Sequence, residues 1–280
     1  MKKITTIVLD IDGTLLNSDY KVSSKTKNTL IDAQKKGIKL ILASGRPPSG
    51  MTEFIEELKM DEYNGFFIST NGAVVIDCST NKILFEQTLP IQISKDILNH
   101  VKKFKVKPMI FKEDYLYVND VYDNMANFSE KNINVNIIEH EARSNKFKLC
   151  EINDLAAFVD FPLQKILLAG DQQYLQKNYL EIKAPFENQA NGMFTAPVYF
   201  EFVNKDIDKA KALEIIVNKL NINKDNIIAF GDGQNDCSII KYSGVGVAMK
   251  NAVQELKDLA DEITLSNDDD GIVYMLEKYL

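Results

Sequence analysis

Two short apolar runs, each stopping on acidic residues, constrain this chain more than any other feature. Residues 4–9 form a β-rich run that ends at Asp10, and Ile227-Ile228-Ala229-Phe230 ends in Gly231-Asp232-Gly233. Continuous apolar runs of this length read as strands buried on both faces. Helical patterns separate them from similar runs. Residues 24–36 form a helix pattern with Ser23 or Ser24 as cap, Leu30, Ile31 and Ala33 as apolar members, and Gly37 as a left-handed stop. Strands follow at Ile38–Leu42 and Phe66–Ser69, the latter closed by Thr70-Asn71-Gly72. Toward the other end, Leu213, Ile216, Val217 and Leu220 share one helical face, strands are expected at Val245–Met249 and Ile263–Ser266, and a helix near 271–280. Strand alternating with helix predicts a parallel sheet flanked by helices.

The middle of the chain differs. Residues 73–89 read as a hairpin turning at Ser79-Thr80-Asn81, and residues 94–104 as a helix capped by Ser94. Short strands and helices rich in Asn, Lys and aromatics follow. The 280 residues suggest roughly two domains. The expectation is one α/β domain built from residues 1–84 and 205–280, with a second α/β domain, 85–204, inserted between them.

Composition removes several classes of function. A net charge of −7 leaves little cationic surface for nucleic acid. No apolar run reaches the ~18–20 residues of a membrane span, and the basic-then-apolar start reads as a first strand, not a leader. Cys78, Cys150 and Cys237 are widely spaced, which suits a reduced, cytoplasmic protein without a zinc site. Only His100 and His140 are present, and both fall in the insert, which disfavours a Ser-His-Asp triad.

The chemistry concentrates at strand ends. Asp10-Ile11-Asp12-Gly13-Thr14 lies at the carboxyl end of the first strand, the edge where open α/β sheets bind ligands. Carboxylates two residues apart repel one another unless a cation or proton intervenes. Gly231-Asp232-Gly233-Gln234-Asn235-Asp236 supplies more carboxylates at another strand end, and Asp236 stands where a dinucleotide fingerprint needs glycine. Together the two turns point to a hard cation such as Mg²⁺. Ser44, with Gly45 and Arg46, follows a strand and precedes Pro47, where a helix can begin and an anion can bind. Alone, Lys209 reads as a surface lysine, Asn71-Gly72 as a turn and Cys237 as a small apolar residue.

Taken in order, Asp10–Thr14, Ser44-Gly45-Arg46-Pro47, Lys209 and Gly231–Asp236 resemble the four motifs of the haloacid dehalogenase (HAD) superfamily. Asn71-Gly72-Ala73, Gly246–Ala252 and Asp270-Gly271 are similar to that superfamily's Cof-type phosphatases, which carry a large inserted α/β cap. The family often has glycine on either side of the motif lysine; here the run is Asp206-Ile207-Asp208-Lys209-Ala210, and Ala212-Leu213 follows at the expected offset. The resemblance implies a Rossmann-like parallel-sheet core with the insert acting as a specificity lid. It implies Mg²⁺ held by Asp10, the Asp12 backbone carbonyl and Asp232. Asp10 is then the nucleophile and Asp12 the general acid and base. Ser44, Gly45, Lys209 and Asn235 bind phosphate, with Thr14, Arg46, Asn71 and Asp236 in support. The implied reaction is hydrolysis of a small phosphorylated metabolite, a sugar or cofactor phosphate, through an aspartyl-phosphate. Neither nucleic acid nor membrane is implied as a partner, and monomer and dimer both stay open. The alternatives are a phosphomutase or other phosphotransferase on the same fold, and a non-catalytic metal-dependent binding module.

Overall fold

The computed structural model describes residues 3–129 and 132–280, so Met1 and Lys2 of the first expected segment lie outside the described residues. The chain divides into two compact units, Met1–Glu86 with Asp208–Leu280, and Gln87–Ile207.

The first unit is built on an eight-stranded sheet. Its strands are β1 (Thr6–Leu9), β2 (Lys39–Ala43), β3 (Phe66–Ser69), β4 (Val74–Asp77), β5 (Lys82–Glu86), β14 (Ile227–Gly231), β15 (Val245–Ala248) and β16 (Glu262–Ile263), in the order β16-β15-β14-β1-β2-β3-β4-β5. From β16 to β3 every pair is parallel; β4 and β5 return antiparallel. Every residue of β1, β3, β14 and β15 is buried, as strands covered on both faces must be. Around the sheet run α1 (Ser24–Lys35), α2 (Thr52–Glu57), α7 (Lys209–Leu220), α8 (Cys237–Tyr242), α9 (Gln254–Leu259) and α10 (Gly271–Tyr279), with α1 packed on α10 and α7 on α8. Ser23 caps α1, accepting from the Thr26 N–H at 3.0 Å, and Gly37 follows the helix at φ +86°. The mixed α/β class and the parallel sheet are as expected.

The second unit has a six-stranded sheet and a separate hairpin. Here lie β6 (Lys107–Lys112), β7 (Tyr115–Val118), β8 (Met125–Phe128), β9 (Ile133–Asn136), β10 (Lys148–Glu151), β11 (Ile166–Ala169), β12 (Ala190–Ala196) and β13 (Tyr199–Asn204), with the sheet order β10-β7-β6-β11-β13-β12 and β8 paired to β9. Its helices are α3 (Ile91–Val101), α4 (Ile137–Ser144), α5 (Leu155–Phe158) and α6 (Gln172–Lys183). Alternation along β13 serves two cores: Phe200 and Phe202 pack with Ile97, Leu98 and Leu175, while Tyr199 packs with Met109, Leu116 and Ile138.

Three local expectations shift. Helix α3 begins at Ile91, behind Pro90, so Ser94 is buried inside the first turns and caps nothing. β16 keeps only Glu262 and Ile263, although the Thr264 N–H still donates to the Ala248 carbonyl at 2.9 Å while its hydroxyl donates to the Gly271 carbonyl at 2.6 Å. The helix that could begin at Pro47 is only a single 3₁₀ turn, Pro48–Gly50, capped by Pro47, and α2 starts later, at Thr52.

Candidate active site

The residues singled out from sequence in the first unit all converge on the carboxyl edge of its sheet. Asp10 ends β1, Ser44 follows β2, Asn71 follows β3, and Asp232 follows β14. Lys209 opens α7 behind its cap Asp208, whose side chain accepts from the Lys211 N–H at 2.9 Å. Parallel strands deliver all these turns to one edge, which explains how residues 199 positions apart can meet.

After Asp10 the chain makes one wide turn, Ile11–Leu15, with non-helical backbone at Asp12 and Gly13, closed by the Leu16 N–H donating to the Ile11 carbonyl at 2.9 Å. Gly13 sits in it at φ +85°, and a Cβ there would lie 2.7 Å from the Asp232 Cγ. Glycine therefore serves both the backbone angle and the close approach of the second acidic turn. Thr14 Oγ1 donates to Asp232 Oδ1 at 2.8 Å and ties the two turns together.

Lys209 is the centre of the buried charge. Its ammonium donates to Asp10 Oδ1 at 2.6 Å and to Asp236 Oδ1 at 2.5 Å, with its side chain 0% exposed. The surface lysine that sequence alone suggested is thus a buried one. Asp236 is fully engaged, because its Oδ2 also accepts the Asp232 and Gly233 N–H groups at 3.0 and 2.9 Å. It fixes the second acidic turn and holds the lysine.

Charge balance at this site runs negative. Burial, then the Asp236 charge, pushes the Asp10 carboxyl well above the usual carboxylate range, against the pull of Lys209. Burial and Asp236 likewise push Asp232 up to about 7, with the Thr14 hydrogen bond opposing. Burial alone would lower the Lys209 value, but Asp10 and Asp236 outweigh it and raise it. The oxygens of Asp10, Asp232 and Asp236 come within 4.8 Å of one another. An all-oxygen set with excess negative charge and a partly buried Asp232 fits a hard cation, whose charge would reverse these shifts. With both Asp236 oxygens occupied, the residues placed to hold the cation are Asp10 and Asp232.

Asp12 occupies a different environment. Its side chain is 50% exposed, and Arg46 forks onto it, Nε to Oδ2 at 2.7 Å and Nη2 to Oδ1 at 2.6 Å. The guanidinium lies 5.2 Å above the centroid of the Phe54 ring. The Arg46 backbone is held as well, its N–H on Ser44 Oγ at 3.1 Å and its carbonyl on the Thr70 N–H at 2.9 Å. Asn235 donates through Nδ2 to Asn71 Oδ1 at 3.0 Å, so the turns after β3 and β14 are also linked. Asn71 is wholly buried at φ +55°, flanked by Thr70 at +52° and Gly72 at +107°. Gly72 adopts this backbone freely, whereas Thr70 and Asn71 do so at a cost of the kind found at functional sites.

Sequence reasoning passed over Asn251. Its Nδ2 donates to the Gly13 carbonyl at 2.8 Å. The segment Gly246–Ala252 had been noted only for its likeness to the family.

A strand-end carboxylate pair in two distinct environments, a buried lysine and a second acidic turn define a phosphoryl-transfer site. Residues 7–276 match the family model of haloacid dehalogenase-like hydrolases, and the chain belongs to that family. A 5-amino-6-(5-phospho-D-ribitylamino)uracil phosphatase of Bacillus subtilis is 30% identical over 282 residues, covering 99% of this chain and 96% of its own length. A putative phosphatase of the same organism is 25% identical over 272 residues, covering 97% of each. The crystal structure of a haloacid dehalogenase-like hydrolase from Bacteroides thetaiotaomicron is similar at a TM-score of 0.85 and 33% identity, covering 99% of this chain and 100% of that one. The chain is a phosphoric monoester hydrolase. Among the described residues no helix is long and apolar enough to cross a membrane.

Proposed function

We propose that this chain is a Mg²⁺-dependent phosphatase of small phosphorylated metabolites, sugar phosphates or cofactor phosphates, working through an aspartyl-phosphate. The observation that carries the reading is the contrast between the two carboxylates after β1: Asp10 buried and pinned by Lys209, Asp12 half exposed and gripped by Arg46. Two carboxyl groups in different environments suit two different roles. The phosphorylated ribityl compound in the Bacillus relative's name supports a small-molecule substrate.

Asp10 attacks phosphorus, its new O–P bond forming as the ester O–P bond breaks. Asp12 gives a proton to the departing alkoxide, then takes one from the water that cleaves the aspartyl-phosphate and restores Asp10. Asp10, Asp232 and the Asp12 backbone carbonyl would hold Mg²⁺, which when bound would supply charge neutralisation for the anionic reactants. Lys209, Ser44, the Gly45 N–H and Asn235 bind and orient the phosphoryl oxygens. Thr14, Asn71 and Asp236 hold these groups in place. The inserted unit, read from sequence as 85–204, reads the leaving group and excludes water as a lid does.

The test is phosphate release from a panel of phosphorylated metabolites by wild type and Asp10→Asn, each with Mg²⁺ and with chelator. Release that needs Mg²⁺ and is lost in Asp10→Asn is expected. Persistent release by pure Asp10→Asn would overturn the nucleophile, and an isomerised sugar phosphate instead of free phosphate would make the chain a mutase.

A further inference from the structure

The two acidic turns carry like charge toward one another, yet neither is held in place by charge pairing alone. A short segment after β15 grips the backbone of both. Val253 donates its N–H to the Asp232 carbonyl at 2.9 Å. Two residues earlier, Asn251 donates through Nδ2 to the Gly13 carbonyl at 2.8 Å. The other end of the Asn251 amide accepts the Asn267 N–H at 3.2 Å, and Asn267 Nδ2 donates onward to the Leu16 carbonyl at 2.8 Å. Because a main-chain N–H meets Oδ1, the amide has one orientation, with its NH₂ toward Gly13.

The segment is itself anchored. Met249 donates to the Gly231 carbonyl at 3.0 Å, Lys250 to the Leu265 carbonyl at 3.3 Å, and Ala252 back to Met249 at 2.9 Å. One rigid corner thus fixes the spacing of the turn that bears Asp10 and Asp12 and the turn that bears Asp232. Asn251 is exposed, so the packing of the core does not demand it. Its side chain is neutral, so it holds the first turn without adding to the local charge.

We propose that Asn251 is a positioning residue of the cation site: by clasping the Gly13 carbonyl it keeps the first acidic turn at the distance from Asp232 that a divalent cation requires. This rests on the reading of Asp10 and Asp232 as the cation's holders. Outer partners that orient metal-bearing groups typically contribute about 10–100-fold to metal affinity.

The experiment is calorimetric titration of Mg²⁺ into wild type, Asn251→Ala and Asn251→Leu, with unfolding midpoints of the same samples in chelator. Both variants are expected to weaken the Mg²⁺ Kd by about 10-fold, while their midpoints in chelator stay close to wild type. Turnover at saturating Mg²⁺ recovers most of the wild-type rate. A wild-type protein that binds Mg²⁺ and variants that bind it within twofold would overturn the role of Asn251. So would midpoints that fall in chelator with Kd unchanged, the mark of a merely structural residue. Absence of Mg²⁺ binding by wild type would instead overturn the cation reading, and the proposal with it.

Discussion

Replacing Lys209 by methionine removes one charge and leaves the shape of the side chain nearly intact. The ammonium lies 2.6 Å from Asp10 and 2.5 Å from Asp236, with side-chain exposures of 0%, 8% and 1% for the three residues. Deleting the shared cation strands two carboxylates where water cannot solvate them. Removing one partner of a buried ion pair costs about 3–5 kcal/mol, because the charge left behind is uncompensated. For a chain of this size each kcal/mol moves the midpoint by roughly 2–4 °C, so Lys209→Met should unfold on the order of 10 °C below wild type. The assay is thermal unfolding in chelator, followed by far-ultraviolet circular dichroism at neutral pH. Lys209→Arg is expected to fail as well, since a planar guanidinium cannot serve two carboxylates from one point. A Lys209→Met midpoint within about 2 °C of wild type would refute the reasoning, because the buried pair would then contribute far less than such pairs do.

Two further outcomes follow from other contacts. Asp12→Ala and Arg46→Ala should each slow hydrolysis of an alkyl phosphate far more than that of p-nitrophenyl phosphate. A nitrophenolate leaves without help, whereas the acid is worth about 10²–10⁴-fold for an alkoxide; equal losses on both esters would show that neither residue acts on the leaving group. Glu262 accepts from Lys278 at 2.6 Å and Tyr279 at 2.8 Å, and these bonds hold its carboxyl below the ordinary 4.5. Its stabilisation is therefore present above the ordinary carboxylate range and lost as pH falls through the depressed folded value. Glu262→Gln should lower stability slightly at pH 7, by well under ~1 kcal/mol for so exposed a pair, with the gap closing as pH falls from the ordinary carboxylate range through the depressed folded value; a gap constant with pH would contradict the assignment.

The parallel sheet was legible because its central strands are mostly apolar, and the acidic turns because each follows such a strand at once. Ile7-Val8-Leu9 and Ile228-Ala229-Phe230 state burial without needing a partner. The pairing between turns was not legible. Arg46 and Asp12 are 34 residues apart, and nothing local in either segment says that the fork will land on that carboxylate. Asp236 read from sequence as one more acid near the cation, yet the Asp232 and Gly233 N–H groups and Lys209 occupy both its oxygens, a fact of three-dimensional proximity. Ser94 misled because serine favours caps, but the helix extends three residues further toward Pro90 and buries it. Ile263–Ser266 misled for the opposite reason: β-branched residues promised a longer strand, but beyond the Thr264 N–H bond to the Ala248 carbonyl the segment bends into the turn before α10.

The position of β1 between β2 and β14 has a consequence for biosynthesis. A ribosome delivers β1, β2 and β3 early, but the strand that covers the other edge of β1 begins at Ile227. Residues 87–207 are continuous and can close their own cores while that edge still waits. The nascent first unit therefore spends most of its synthesis with an apolar strand edge unpaired, a template for the wrong neighbour. Asp10 acquires its lysine only after the insert has been translated. A translational pause before Ile227 would prolong this exposed state, which ends only when β14 pairs with β1 and β15 with β14.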